Sequence, residues 1–180
     1  MLISNVRLAF PVLFEAKTVN GEGKPAFSAA FLIDPADPQV EAINAEIERV
    51  ANEKWGAKTV AMLKTLRATD KIALHDGDLK SNYDGYAGNL YISARGKVRP
   101  LVLDRDAKTE LTEEDGRPYA GCYVNAIVEF WAQDNNYGKR INATLHKVQF
   151  FKDGDAFAGG SMSNEGFEDL AVADDEMGLV

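Results

Sequence analysis

The chain is poor in the residues that build disulfide and metal sites: its 180 residues include one cysteine and two histidines. A lone Cys122 excludes an internal disulfide framework and fits a reducing compartment. With His75 and His146 widely spaced, it does not complete a zinc ligand set either. Neither a metal nor a cofactor is expected. Long apolar runs are also missing, and none approaches the roughly 20 residues a membrane span needs. The opening MLISNVRLAF lacks the basic region, apolar core and cleavage site of a signal peptide, so no membrane association is expected. There is no GxxxxGK[ST] phosphate loop and no GxGxxG turn between strand and helix, which argues against a nucleotide-driven motor. Finally, basic residues are absent after Lys152. Eight acids follow it, so the net charge of −8 lies wholly in the last 28 residues and the body before them is neutral.

What is present reads mainly as strands. Leu2, Val6, Leu8 and Phe10 alternate along an opening strand, and Asn20-Gly21-Glu22-Gly23-Lys24-Pro25 is dense in turn formers. Phe27, Ala29, Phe31 and Ile33 mark a second strand. Asp37-Pro38 is a helix start, with a capping carboxylate followed by proline. Val40, Ile43, Ile47 and Val50, then Val60, Leu63 and Leu66, recur at helical spacing, giving a helical insertion over about 37–67. Strands resume after Lys71. Leu90, Ile92 and Ala94 point one way, and VRPLVLD extends that strand. Cys122, Val124, Ala126, Val128 and Phe130 share a face opposite Tyr123, Asn125 and Trp131. In the last strand Ile141, Ala143 and Leu145 give way to Val148 and Phe150, a parity change that predicts a bulge near His146-Lys147. Five strands with bends and a bulge suit a small barrel: an OB-type five-stranded barrel over 1–160, with a disordered acidic tail over 161–180. A two-sheet sandwich stays open.

Chemistry concentrates between Asn82 and Asp104. Tyr83, Tyr86 and Tyr91 precede Arg95, Lys97 and Arg99, and alternation puts Tyr91, Ser93 and Arg95 on one face, joined by Lys97 and Arg99 if it survives Gly96. Rings beside fixed positive charges suit a flexible polyanion with exposed bases. Trp131 and Tyr137 are further ring candidates, and Lys139 and Arg140 further cations. The competing reading is a half-buried strand with a basic outer side. Asp76, Asp78 and Lys80 resemble the acid-acid-lysine set of metal-dependent nucleases, although two acids flanking a glycine also make an ordinary turn. A non-catalytic protein adaptor is the remaining alternative. Asp104, Asp106, Lys108 and Glu110 echo a calcium loop, but Thr109 stands where that loop needs glycine.

The ordered pieces LAFPVLF, KPAFSAAFLID, LHDGD, Tyr83-Asp84-Gly85-Tyr86, Gly121-Cys122-Tyr123-Val124, Asn136-Tyr137-Gly138 and LHKVQFFKDGDAF run through nearly the whole chain. Together the chain resembles a family of tailed-bacteriophage single-stranded DNA-binding proteins, OB-fold proteins formerly known only as a domain of unknown function. The resemblance implies a non-enzymatic, sequence-independent binder of single-stranded DNA. It would act in phage DNA replication or recombination, in the cytoplasm of the bacterial host. It also implies an acidic tail that competes with DNA and recruits phage or host replication and recombination proteins; here Glu165, Phe167, Glu168, Asp169, Asp174, Asp175 and Glu176 would serve. The tail departs from the best-known pattern by ending Met177-Gly178-Leu179-Val180 instead of in an aromatic residue. Monomer and dimer both remain open.

Overall fold

The structure is a computed structural model and describes residues 1–19 and 21–158. The acidic tail and its candidate residues (Glu165, Phe167, Glu168, Asp169, Asp174, Asp175 and Glu176) lie outside the described residues. Seven strands occur among the described residues: β1 Leu2–Val19, β2 Glu22–Ile33, β3 Leu74–Asp76, β4 Leu90–Gly96, β5 Leu101–Leu103, β6 Tyr123–Asn135 and β7 Gly138–Lys152. Two helices, α1 Gln39–Trp55 and α2 Thr59–Ala68, follow β2. Strands β4, β2, β1, β6 and β7 pair in that order, and a parallel contact at Arg95 and Thr144 joins β4 back to β7. The result is a closed five-stranded barrel with antiparallel neighbours elsewhere, the OB-type arrangement. Closure removes the open edges that would otherwise recruit other strands.

Alternation explains most of the lining. Phe31, Ile92, Val124, Val128 and Ile141 are all buried inside the barrel. The bulge in β7 falls where the parity change puts it: Val128 pairs with Leu145 but Ile127 with Lys147, leaving His146 as the extra residue. The opening strand differs from its simple alternation. Asn5 and Phe10 adopt left-handed backbone, with φ of 51° and 47°. Each resets the parity, so Ile3, Val6, Leu8 and Leu13 point inward while Leu2 and Phe10 are exposed. Strand β4 ends at Gly96, and Leu101–Leu103 is a separate strand pairing in parallel with β7, not an extension of β4.

The helical insertion joins the same core. Asp37 accepts the Gln39 backbone N–H (2.9 Å) to start α1. Gly56, at φ 52°, separates the two helices. Ile43, Ile47, Val50, Leu63 and Leu66 are buried against the barrel lining. Burying each such side chain stabilises the fold by about 1.5–3 kcal/mol. Val60 is the exception in the stripe, being largely exposed. The indole N–H of Trp55 donates to Asp134 (3.0 Å), tying the end of α1 to β6.

Candidate nucleic-acid interface

Segment 71–73 fills a splay between β4 and β7. The Ile141 N–H donates to the Lys71 carbonyl (3.0 Å), the Ala73 N–H to the Ile141 carbonyl (2.8 Å) and the Ser93 N–H to the Ala73 carbonyl (3.0 Å). This forms the floor of an open groove of about 500 Å³ on the outside of the barrel. One wall carries His75, Ser93 and Arg95; the other carries Trp131, Gln133, Arg140, Asn142 and Thr144. The groove continues past Arg95, Trp131 and Thr144 into a second hollow, of about 510 Å³, lined by Lys24, Pro25, Ala26, Gly96 and Lys97. The β1–β2 and β6–β7 hairpins stand at its two ends. These are the two loops that OB barrels use for extended chain ligands.

Trp131 lies where the two hollows meet. Its indole N–H donates to the Thr144 hydroxyl (3.1 Å), which fixes the ring while leaving the side chain 41% exposed. Asn142 donates to Gln133 (2.8 Å) across the same wall. Arg95, Lys97 and Arg140 are all exposed, and no ion pair neutralises them among the described residues. The groove therefore combines a fixed ring with unneutralised cations.

The other sequence candidates are distributed differently. Tyr86 and Tyr91 are buried, at 2% and 3% exposure, in a small outer cluster with Ala9, Ala30 and Leu32. Rings so enclosed have no free face for a base, and this corrects their assignment as stacking residues. Their burial arises because residues 77–89 fold back over β4, β2 and β1. Burial, with Tyr91 and Tyr83 nearby, pushes the Tyr86 phenol up to about 12. Burial and the Asp70 carboxylate also raise that of Tyr91. Tyr83 is partly exposed, packed edge-on against Phe10 at 5.0 Å, and lines neither hollow. Arg99 lies beyond the end of β4 and sits over the Phe14 ring (5.9 Å), away from the groove. Tyr137 is 92% exposed at the tip of the β6–β7 hairpin. Lys139 lies opposite Asp134 in the β6–β7 register, on the side that faces Trp55, whereas Arg140 faces the groove.

Asp76 and Asp78 are committed to the turn. Asp76 accepts the Asp78 N–H (2.9 Å) and Asp78 accepts the Gly88 N–H (2.8 Å). Gly77 is required there, since a Cβ would strike the carbonyls of Tyr86 and Asn89. Among the described residues no cluster of three or more His, Cys, Asp or Glu could hold a metal ion. Sequence reasoning gave no groove role to His75, Gln133, Asn142, Thr144 or Lys24. Their signal is only an outward strand parity, shared by every solvated position.

The family described as "Enterobacter phage Enc34, ssDNA-binding protein" matches residues 1–177. The chain belongs to this family. It is 51% identical over 178 residues to the p50 protein of Acyrthosiphon pisum secondary endosymbiont phage 1, covering 97% of this chain and 95% of that one. The barrel superimposes on the single-stranded DNA-binding protein of bacteriophage Enc34, solved in complex with ssDNA, with a TM-score of 0.72 and 29% identity. That match covers 87% of this chain and 88% of that one. The gp2.5 single-stranded DNA-binding protein of bacteriophage T7 shares the fold, at a TM-score of 0.55 and 15% identity, over 94% and 98% of the two chains.

Proposed function

We infer that this protein binds single-stranded DNA without sequence preference, in phage DNA replication or recombination within the infected bacterial cell. The observation that carries the reading is the groove itself. Trp131, held by Thr144, offers a ring face between Arg95, Lys97 and Arg140. A base stacked on Trp131 would contribute about 1–3 kcal/mol, and any base can stack because each has a π-face. Arg95, Lys97 and Arg140 would meet phosphates. Tyr86 packs from the 77–89 loop onto Tyr91 beneath it, and Tyr137 is free to close over a strand at the hairpin tip. Family membership supports the same reading.

The acidic tail would compete with DNA for this groove and recruit replication partners. The described chain reaches Ala158, whose N–H donates to Asp84 (3.1 Å) on the 77–89 loop. The 22 residues beyond have a contour length of roughly 75 Å, enough to reach the groove. The repulsion between six tail acids and phosphate is strongest at low salt. Fluorescence polarisation with labelled oligo-dT at several salt concentrations tests the main reading. The expected result is saturable binding that weakens steeply with salt, by a log–log slope of about 0.7 for each phosphate contacted. Absent binding, or equal affinity for duplex, would overturn it. Removing residues 164–180 should tighten binding at low salt; an unchanged affinity would reduce the tail to a solubilising end.

A further inference from the structure

One wall of the groove holds three coupled side chains that stacking and charge alone leave unexplained. Helix α2 closes with the Lys71 N–H donating to the Leu66 carbonyl (2.8 Å) and the Asp70 N–H to that of Arg67 (3.3 Å). Residue 70 thereby takes a left-handed backbone, with φ of 54°. Glycine is the usual occupant of that position, because it has no Cβ to strain. Here an aspartate stands in it and holds its carboxylate 2.6 Å from His75 Nδ1. His75 Nε2 lies 2.9 Å from the Ser93 hydroxyl, and the imidazole stacks on Tyr91 with centroids 4.7 Å apart. The ring is thus fixed at both nitrogens and on one face, and it borders the groove with its side chain only 11% exposed.

Hydroxyl, imidazole and carboxylate in this order also describe a hydrolytic triad. Ser93, however, lies within the regular ladder of β4 instead of on a strained elbow. Its own N–H is spent on the Ala73 carbonyl, so it cannot stabilise an oxyanion there. The trio is better suited to binding than to cleavage.

We propose that Ser93 and His75 form a phosphate-binding station in the groove that is switched on by protonation of His75. An ionised carboxylate only accepts, so neutral His75 donates its Nδ1–H to Asp70. Its bare Nε2 then accepts the one proton of the Ser93 hydroxyl, which points that proton away from any ligand. When a proton from solvent binds Nε2, the new N–H donates to the Ser93 oxygen. The hydroxyl proton is then free to turn to a phosphodiester oxygen, and the ring adds a positive charge to the groove. No covalent bond between heavy atoms forms or breaks.

The charges around the ring favour coupling to a polyanion. Arg140 faces it across the groove, Arg95 stands on its own wall, Arg67 borders the hollow on its other side, and Lys80 lies over the Tyr91 ring (5.3 Å). These oppose a further positive charge, while Asp70, in direct contact, and Asp76, in the same hollow as Arg67, favour it. A phosphate between the arginines and His75 relieves the opposition. Proton and strand therefore bind each other's complex more tightly, and by linkage the effect is reciprocal. An ordinary histidine side chain changes charge between pH 5 and 8, and the test spans that range.

This inference rests on the single-strand reading above, and the test separates the two. Oligo-dT affinity is measured at constant ionic strength from pH 5.5 to 8.5, where thymine does not titrate. The expected result is roughly tenfold tightening toward pH 5.5, which corresponds to an uptake of about half a proton per strand at the midpoint. His75→Gln should remove the pH dependence, while Ser93→Ala should lose affinity mainly at the acid end. His146→Gln should keep the full slope, since His146 pairs with Glu129 (2.9 Å) and lines neither hollow. If His75→Gln does not fold, NMR titration of the His75 ring with and without oligo-dT replaces it, and an upward shift on binding is expected. Binding with equal pH slopes in the wild type and His75→Gln, or a ring titration unmoved by DNA, overturns this inference alone. No binding at any pH overturns the single-strand reading as well.

Discussion

The outer surface of β4 is divided into two regions with opposite fates. At one end Tyr91 lies beneath Tyr86 and the 77–89 loop, packed with Ala9, Ala30 and Leu32. Four residues on, Arg95 stands in the open with Trp131 and Arg140. Both residues share a strand parity, so the difference does not come from β4. It comes from what returns to cover it. The covered half gains a second apolar cluster outside the barrel, extended by Phe157, over which the Arg7 guanidinium stacks at 4.3 Å. The open half keeps its polar groups solvated and unneutralised. Aromatic content therefore serves stability at one end and ligand contact at the other.

The sharpest way to break this division is to exchange the consequences of losing a ring. Tyr86→Ala should destabilise the protein by about 3–5 kcal/mol, as for other buried aromatics. Oligo-dT affinity measured well below the melting temperature should change less than threefold. Denaturant titration and polarisation on the same sample check both halves of that statement. Trp131→Ala should do the reverse: about 1–3 kcal/mol lost from binding, with stability little altered because the ring is partly exposed. If Tyr86→Ala abolishes binding in folded protein, the covered half belongs to the site after all.

How far this division could be read in the sequence depends on distance along the chain. Parity within β6 and β7 is local, so the inward rows and the bulge at His146 follow from the residues themselves. Arg140 also follows, since Ile141 and Ala143 point inward. The same reasoning turns Lys139 away, and treating the two cations as a pair overlooked it. Strand β1 misleads because Leu2, Val6, Leu8 and Phe10 make a clean even row, while the left-handed turns at Asn5 and Phe10 leave no pattern. Burial of Tyr86 and Tyr91 depends on a loop return and on Phe157, dozens of residues away. Such contacts have no periodic signature.

Alkaline pH offers a smaller perturbation, confined to buried groups. Burial raises the Cys122 thiol from 9.0 to about 11 and the Tyr86 phenol from 10.0 to about 12. In each case the folded state keeps a proton that the unfolded chain has released. Stability is thus unaffected below pH 9 by these groups and falls as pH rises from about 9 to 12, first through Cys122 and then through Tyr86. Cys122→Ala should flatten the first part of that fall in urea titrations, leaving the second.

The smallest expected effect discriminates between neighbours. Lys139 and Arg140 are adjacent and both exposed, yet alternation sends only Arg140 into the groove. Lys139 lies opposite Asp134, on the side where Trp55 donates to that carboxylate. Arg140→Ala should lower the salt dependence of oligo-dT binding by about 0.7 in log–log slope, the share of one phosphate on a single strand. Lys139→Ala should leave the slope unchanged and shift affinity less than twofold, through the general field alone. Equal slopes for the two variants would mean that the strand passes over the hairpin tip, touching both of its sides, instead of along the wall that Arg140 shares with Trp131.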